Sequence, residues 1–184
     1  SLQDAINTAA VTGSEIYIVR DFEATYPITV KEDTNIVINM NSYNITTGND
    51  ITNNGTLKIY DTSEDTGSIT SAKTIVNNGN LVIDKVDITE TNTSNIAIKN
   101  IGDLKLTNTT ITSKDAYTIY TDGKFSMDEN TTLSSNTQAI HNNQTEKLVL
   151  NGGTLTGIVN DGDLEINEGT VIRNSNNKIS VYMG

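Results

Sequence analysis

The chain has 184 residues, with 23 acidic and 12 basic side chains, one His, one Pro, and neither Cys nor Trp, which is enough for a single domain. A net charge of −11 with only two arginines, Arg20 and Arg173, far apart in sequence, excludes the clustered cations that nucleic acid or an anionic membrane requires. No apolar run is long enough to span a bilayer; lack of Cys excludes disulfides, thiolate metal sites and a Cys nucleophile; and 25 Asn plus 29 Thr, against 5% aromatics, favour strands and polar turns and exclude an all-helical fold.

The first predicted element is a short helix over residues 1–12. Leu2, Ala5, Ile6 and Ala9 fall at i, i+3, i+4 and i+7, and Ser1 stands in capping-box spacing to Asp4. Residues 15–50 follow with short alternating strands at Ile16 and Ile18, Ile28 and Val30, Ile38 to Met40 and Tyr43 to Ile45. Pro27, the only proline, falls where a strand begins and a missing N–H does least harm.

From residue 51 to 178 the chain repeats. Six segments share the pattern Ile-x-x-x-Gly-x-Leu-x-Ile: Ile51 to Ile59, Ile75 to Ile83, Ile98 to Leu106, Ile119 to Met127, Ile140 to Leu150 and Ile158 to Ile166. Their starts are spaced by 24, 23, 21, 21 and 18 residues, a period that signals a solenoid. The fifth copy carries two extra residues and Glu146 is expected in its glycine position, making that corner bulge. After each segment a further short strand is centred on Ile69, Ile88, Ile111, Leu133, Leu155 and Val171. Each unit thus holds three short strands, and about 22 residues leave no room for a crossover helix. Equivalent strands can pair only by coiling and stacking in parallel, about 4.8 Å apart.

The expected fold is therefore all-β: a right-handed parallel β-helix of about seven to eight rungs, one domain over 1–184, closed at its N-terminal end by the helix. Its interior should be columns of like residues, Leu57, Leu81, Leu104, Phe125, Leu148 and Leu164 in one, Ile59, Ile83, Leu106, Met127, Leu150 and Ile166 in the next. Gly55, Gly79, Gly102, Gly123 and Gly162 should serve corners that need positive φ or close backbone approach. Asp84, Asp128, Asn151 and Asn167 fall in one column, where short amides and carboxylates stack and cap turns. Residues 179–184 look like the first strand of another rung cut short, so flanking sequence is expected.

The segments LQDAINTA, EIYIVRDF, TNIVINMNSYNIT and NNGTLKIYDTSEDTGSIT together resemble the opening of pectate-lyase-like parallel β-helix domains in secreted surface proteins of gut-type Gram-positive bacteria. Ile38 to Thr46 and Gly55 to Ile59 carry the two rung motifs, and Leu148 to Thr156 repeats the first. The resemblance implies an extracellular or cell-surface module of a larger chain, with adhesins, stalks and polysaccharide-active enzymes all represented. The expected partner is a host or cell-wall glycan, or a protein on a surface.

Chemistry on such a coil requires groups from neighbouring rungs. Asp84 and Asp128 share an outward column with Thr107 between them, two rungs or about 9.6 Å apart. That excludes a retaining carboxylate pair and barely admits an inverting one, so the expectation is a non-catalytic adhesin or rigid stalk, the alternatives being a polysaccharide lyase or glycoside hydrolase centred on this column, or a phage tail-spike-like segment, which would require a trimer. Ligand contacts are expected at Tyr60, Asp61, Glu64 and Asp65, on the longest insertion, and at the Tyr117/Tyr120 pair, because sugars dock on aromatic faces beside planar polar groups. Asp161 and Asp163 flank Gly162 and could hold Ca²⁺, as could the Asp61 loop, although neither matches a calcium-loop motif; no other cofactor is implied. His141, the only histidine, is expected to point outward into solvent. Six Asn-x-Ser/Thr sequons, at Asn44, Asn54, Asn92, Asn108, Asn130 and Asn143, follow from composition.

Overall fold

A computed structural model describes residues 1–114, 116–173 and 181–183. The helix Leu2–Thr12 is N-capped by Ser1, whose hydroxyl accepts from Asp4 N while the Asp4 carboxylate reaches back to the Ser1 amine, and it ends at Gly13 with φ 70°. Leu2, Ile6 and Ala9 are buried against the first rungs. Gln3 completes the closure: its Oε1 accepts from Thr29 N at 2.6 Å and its Nε2 donates to Thr29 O at 3.0 Å, so one side-chain amide stands in for the strand that the first rung lacks.

Beyond the helix the chain is a right-handed parallel solenoid of about seven rungs, each contributing one strand to each of three faces. The first face holds strands such as Thr56–Tyr60, Asn80–Asp84 and Asp103–Thr107; the second Gly67–Ser71, Val86–Glu90 and Thr110–Ser113; the third Ile51–Asn53, Ile75–Asn77 and Ile98–Asn100. All pairings are parallel, and Leu57, Leu81, Leu104 and Phe125 stand in direct register, as do Ile59, Ile83, Leu106 and Met127. Leu148 and Leu164, and Leu150 and Ile166, continue these columns as a separate two-stranded piece. In its last pair burial fails: Leu164 is half-buried and Ile166 is 39% exposed. Val181–Met183 pairs in parallel with Ile158–Asn160, where a further rung was expected to begin. Of the expected repeat and final strand, residues 174–180 and 184 lie outside the described residues.

The glycine column works by close approach. A Cβ on Gly79, Gly102 or Gly123 would lie 2.0 to 2.1 Å from the carbonyl oxygen of the glycine one rung back, so no side chain fits there. Non-glycine positive φ falls at Asp33, at this corner of the first rung, and at the next corner, on Asn41, Ser42, Lys85 and Asn108. In the fifth repeat Gln144, not Glu146, occupies the glycine column. The Cβ position of Gly162 faces Gln144 O at 2.4 Å, and the two extra residues, Thr145 and Glu146, fall after that corner.

A second ladder, of side-chain amides, lies inside the coil. Asn53, Asn77, Asn100, Thr121, Asn142 and Asn160 occupy one buried inward column at the end of the third-face strands. Asn53 donates to Asn77 and Asn77 to Asn100, both at 2.8 Å, and Asn142 donates to Asn160 at 2.7 Å. These amides also bond corner carbonyls, Asp103 O and Gly79 O among them, the latter accepting from Asp103 N as well.

Candidate functional site

Three successive rungs build one cluster on the third face. Tyr120 and His141 are direct cross-strand neighbours in the strands Ile119–Thr121 and Ile140–Asn142, both pointing outward. Tyr117 reaches the same place from the corner that precedes Ile119–Thr121, and Asp161 follows the strand Ile158–Asn160 one rung further on. The His141 ring meets Tyr117 edge-on at 4.9 Å between centroids and Tyr120 at 4.8 Å, with interplanar angles of 65° and 71°. Its Nε2 lies 2.7 Å from Asp161 Oδ2. The His141 side chain is only 18% exposed, so it faces outward as expected but is packed between two tyrosines rather than solvated. Edge-to-face contacts of this kind add to what burial alone contributes.

The electrostatics keep the cluster's hydroxyl in its donor form. Burial raises the Tyr120 hydroxyl above its ordinary value, and the negative charges of Asp122 and Asp161 add to that. Beside it, Asn143 Nδ2 donates to the Asp122 carboxylate at 2.7 Å, which orients both groups along the same edge. Partly exposed rings, a phenol donor, an imidazole and fixed carboxylate acceptors thus converge on one small area.

The structure therefore unites Tyr117, Tyr120 and Asp161 with His141, and leaves the other predicted ligand residues elsewhere. Tyr60 lies on the first face, where Glu15 bridges its hydroxyl to that of Tyr17, and Lys58 Nζ sits 4.4 Å from its ring centroid. That hydrogen bond to Glu15 is the main reason the Tyr60 hydroxyl is raised above its ordinary value. Asp61 is buried: its carboxylate accepts from Ser42 N at 2.8 Å, Ser63 N at 2.8 Å and Gly67 N at 2.9 Å, holding the insertion in shape. Burial pushes this carboxyl up, but the hydrogen bonds outweigh it and hold it below the ordinary range. Glu64 and Asp65 stay exposed on the same loop.

The column considered for catalysis is occupied by turn hydrogen bonds. Asp84 accepts from Thr107 Oγ1 at 2.8 Å and Asn108 Nδ2 at 3.0 Å, while Asp128 accepts from Asn108 N at 3.1 Å and Thr131 Oγ1 at 2.6 Å. Asn167 Nδ2 donates to Asn151 in the same column at 2.7 Å. Of the two acids flanking Gly162, Asp161 is engaged by His141 and Asp163 is exposed. Among the described residues no three His, Cys, Asp or Glu side chains converge on a point that could hold a metal ion.

Two features escaped the sequence. The His141 packing depends on Tyr117 folding back over a corner, which no spacing rule announces. The inward Asn ladder did leave a signal, an Asn at the third position of five of the six repeats.

No family model matches the chain, no curated protein matches it and no solved structure matches it. What defines the molecule is its architecture, a three-faced parallel β-solenoid with an N-terminal helical cap. The likeness to pectate-lyase-like surface domains stands on the rung motifs alone.

Proposed function

We propose that this chain is a non-catalytic, extracellular binding module of a bacterial surface protein, an adhesin built on a rigid stalk, and that it holds carbohydrate at the Tyr117, Tyr120, His141 and Asp161 cluster. The observation that carries the reading is the convergence of two tyrosines and a histidine, edge to face, beside a carboxylate on an otherwise flat sheet face. Sugars present an apolar face and a rim of hydroxyls, and the cluster offers ring surface for the first and planar acceptors for the second. Continuous parallel ladders supply the rigidity such a surface needs. Asp84 and Asp128 have no part in this reading, since each is held by turn donors.

The test is a glycan-array screen over host mucin and cell-wall sugars, with and without calcium, scored for retention and for released product. Retention without release, abolished in Tyr120→Ala, supports the module. Calcium-dependent release of unsaturated sugars overturns it and restores the carboxylate column as the site to pursue.

A further inference from the structure

The edge between the third and first faces is a trough. Its floor is the run Gly55, Gly79, Gly102 and Gly123, where a side chain would collide with backbone one rung away, and Gln144 stands at its end in the fifth repeat. One wall is the row Asn35, Thr56, Asn80, Asp103 and Lys124, in register over five rungs. The other includes Asn54, Asn78, Ile101 and Asp122, with Asn78 Nδ2 donating to Asn54 at 2.7 Å. Two hollows of about 380 Å³ each lie along the trough itself and share Gly79 and Asn80. They form a continuous channel of about 20 Å at one strand spacing per rung. At Asp122 and Gln144 this channel runs beside Asn143, the neighbour of the aromatic cluster. A third hollow, sharing Asp103 and Lys124, opens onto the outer surface of the first face beside Ser126 and Val149.

We infer that the trough receives an extended, carboxylate-free polysaccharide lying parallel to the solenoid axis, with the Tyr120 and His141 cluster gripping the stretch nearest Asp122. This rests on the carbohydrate reading above and specifies its ligand. A chain laid along the axis passes one residue of each wall per rung, Asn80 and Asn78, then Asp103 and Ile101, then Lys124 and Asp122, so each added sugar gains a further pair of neighbours. Wall amides and carboxylates offer planar donors and acceptors to ring hydroxyls. Ile101, 47% exposed, offers an apolar step against a sugar face. Charge sets the class: Asp33, Asp103, Asp122 and Glu146 border the channel against Lys124, so a polyuronate would meet net repulsion.

The experiment is isothermal titration of the full chain with cello- and chito-oligosaccharides graded from disaccharide to hexasaccharide, and with oligogalacturonates as the charged comparison. Affinity should climb with each sugar through the hexasaccharide. Asn80→Lys combined with Ile101→Asp, both on the trough wall away from the aromatic cluster, should weaken the hexasaccharide by about tenfold or more while leaving the disaccharide unchanged. Tyr120→Ala should weaken both. Affinity that levels off at the disaccharide overturns the trough and leaves the cluster standing as a carbohydrate site. Preference for oligogalacturonates overturns the assigned class. No binding by either neutral series, with retention of some other glycan on the array, overturns the trough alone, whereas silence in both assays overturns the trough and the carbohydrate reading together.

Discussion

Tyr120 and His141 face each other across adjacent rungs with ring centroids 4.8 Å apart, and the far side of the imidazole is held by Asp161 at 2.7 Å. The pair sits on the outer surface of a solenoid whose core lies entirely on the other side of the sheet. Replacing His141 by Ala should therefore cost little in folding, about 0.5 to 1.5 kcal/mol for the lost aromatic contacts, while glycan retention falls sharply. Urea midpoints and array signal measured on the same preparation separate the two effects. A large stability loss with unchanged retention would reassign the cluster to structure.

Gln3 should matter more than its place near the terminus suggests. Its amide makes both hydrogen bonds to Thr29 that a preceding strand would have made. Gln3→Ala leaves the two backbone groups facing the helix without those partners, and the expected loss is roughly 1 to 3 kcal/mol in denaturant unfolding. Hydrogen exchange should quicken first at Thr29.

The two buried carboxyls predict opposite pH dependences. Burial raises the Glu90 carboxyl above its ordinary value, against opposing hydrogen bonds from Asn92 N and Asn95, so the neutral form suits the fold. Its contribution is fully present below the unfolded value and is lost as pH rises through the folded one. Glu90→Gln should unfold at higher urea than the parent near neutral pH, with the difference closing in acid.

Asp61 behaves the other way. Its folded value is lowered by the three backbone donors despite burial, so its contribution is present above the unfolded value and disappears as pH falls through the folded one. Asp61→Asn should lower the urea midpoint at neutral pH and match the parent only in strong acid. A variant that is equally stable at every pH would show that the loop 61–67 holds its shape without the charge.

Asn77 tests the inward ladder. Its Nδ2 shares two protons among Asn100 Oδ1, Gly79 O and Asp103 O, and its Oδ1 accepts from Asn53, with no exposure to solvent. Asn77→Ala removes a buried partner from Asn100 and Asp103 O, while Gly79 O keeps Asp103 N and Asn53 keeps Asn80 O, and should cost roughly 1 to 3 kcal/mol by equilibrium unfolding.

Most of the fold was legible because a solenoid writes its geometry repeatedly. Leu57 to Phe125 could be aligned from spacing alone, and the register followed. Counting back from the apolar pair Leu148 and Leu150 failed in the fifth repeat, because the insertion falls after the corner; counting forward from Asn142 would have placed Gln144 over the glycines. The candidate site was half visible. Tyr117 and Tyr120 stood out as aromatics in a sequence with few, but their meeting with His141 and Asp161 depends on stacking three rungs whose loops differ in length. Asp61 misled for a physical reason: an acid in a polar loop looks solvated in sequence, whereas here three amide donors draw it inward.

The inward amide ladder has a gap at Thr121. Asn100 donates to the Thr121 hydroxyl at 3.1 Å, but that hydroxyl gives its only proton to Gly123 O, and the run of amide to amide bonds resumes at Asn142. The dipoles of the buried amides therefore add head to tail within two blocks and do not pass from one to the other. Across that gap the strands Ile119–Thr121 and Ile140–Asn142 still pair in parallel, so these two rungs are joined by the backbone ladder without the amide ladder beside it. The Tyr120 and His141 contact bridges the same two rungs from outside, so aromatic packing on the outer surface stands opposite the place where the inner amide run is interrupted.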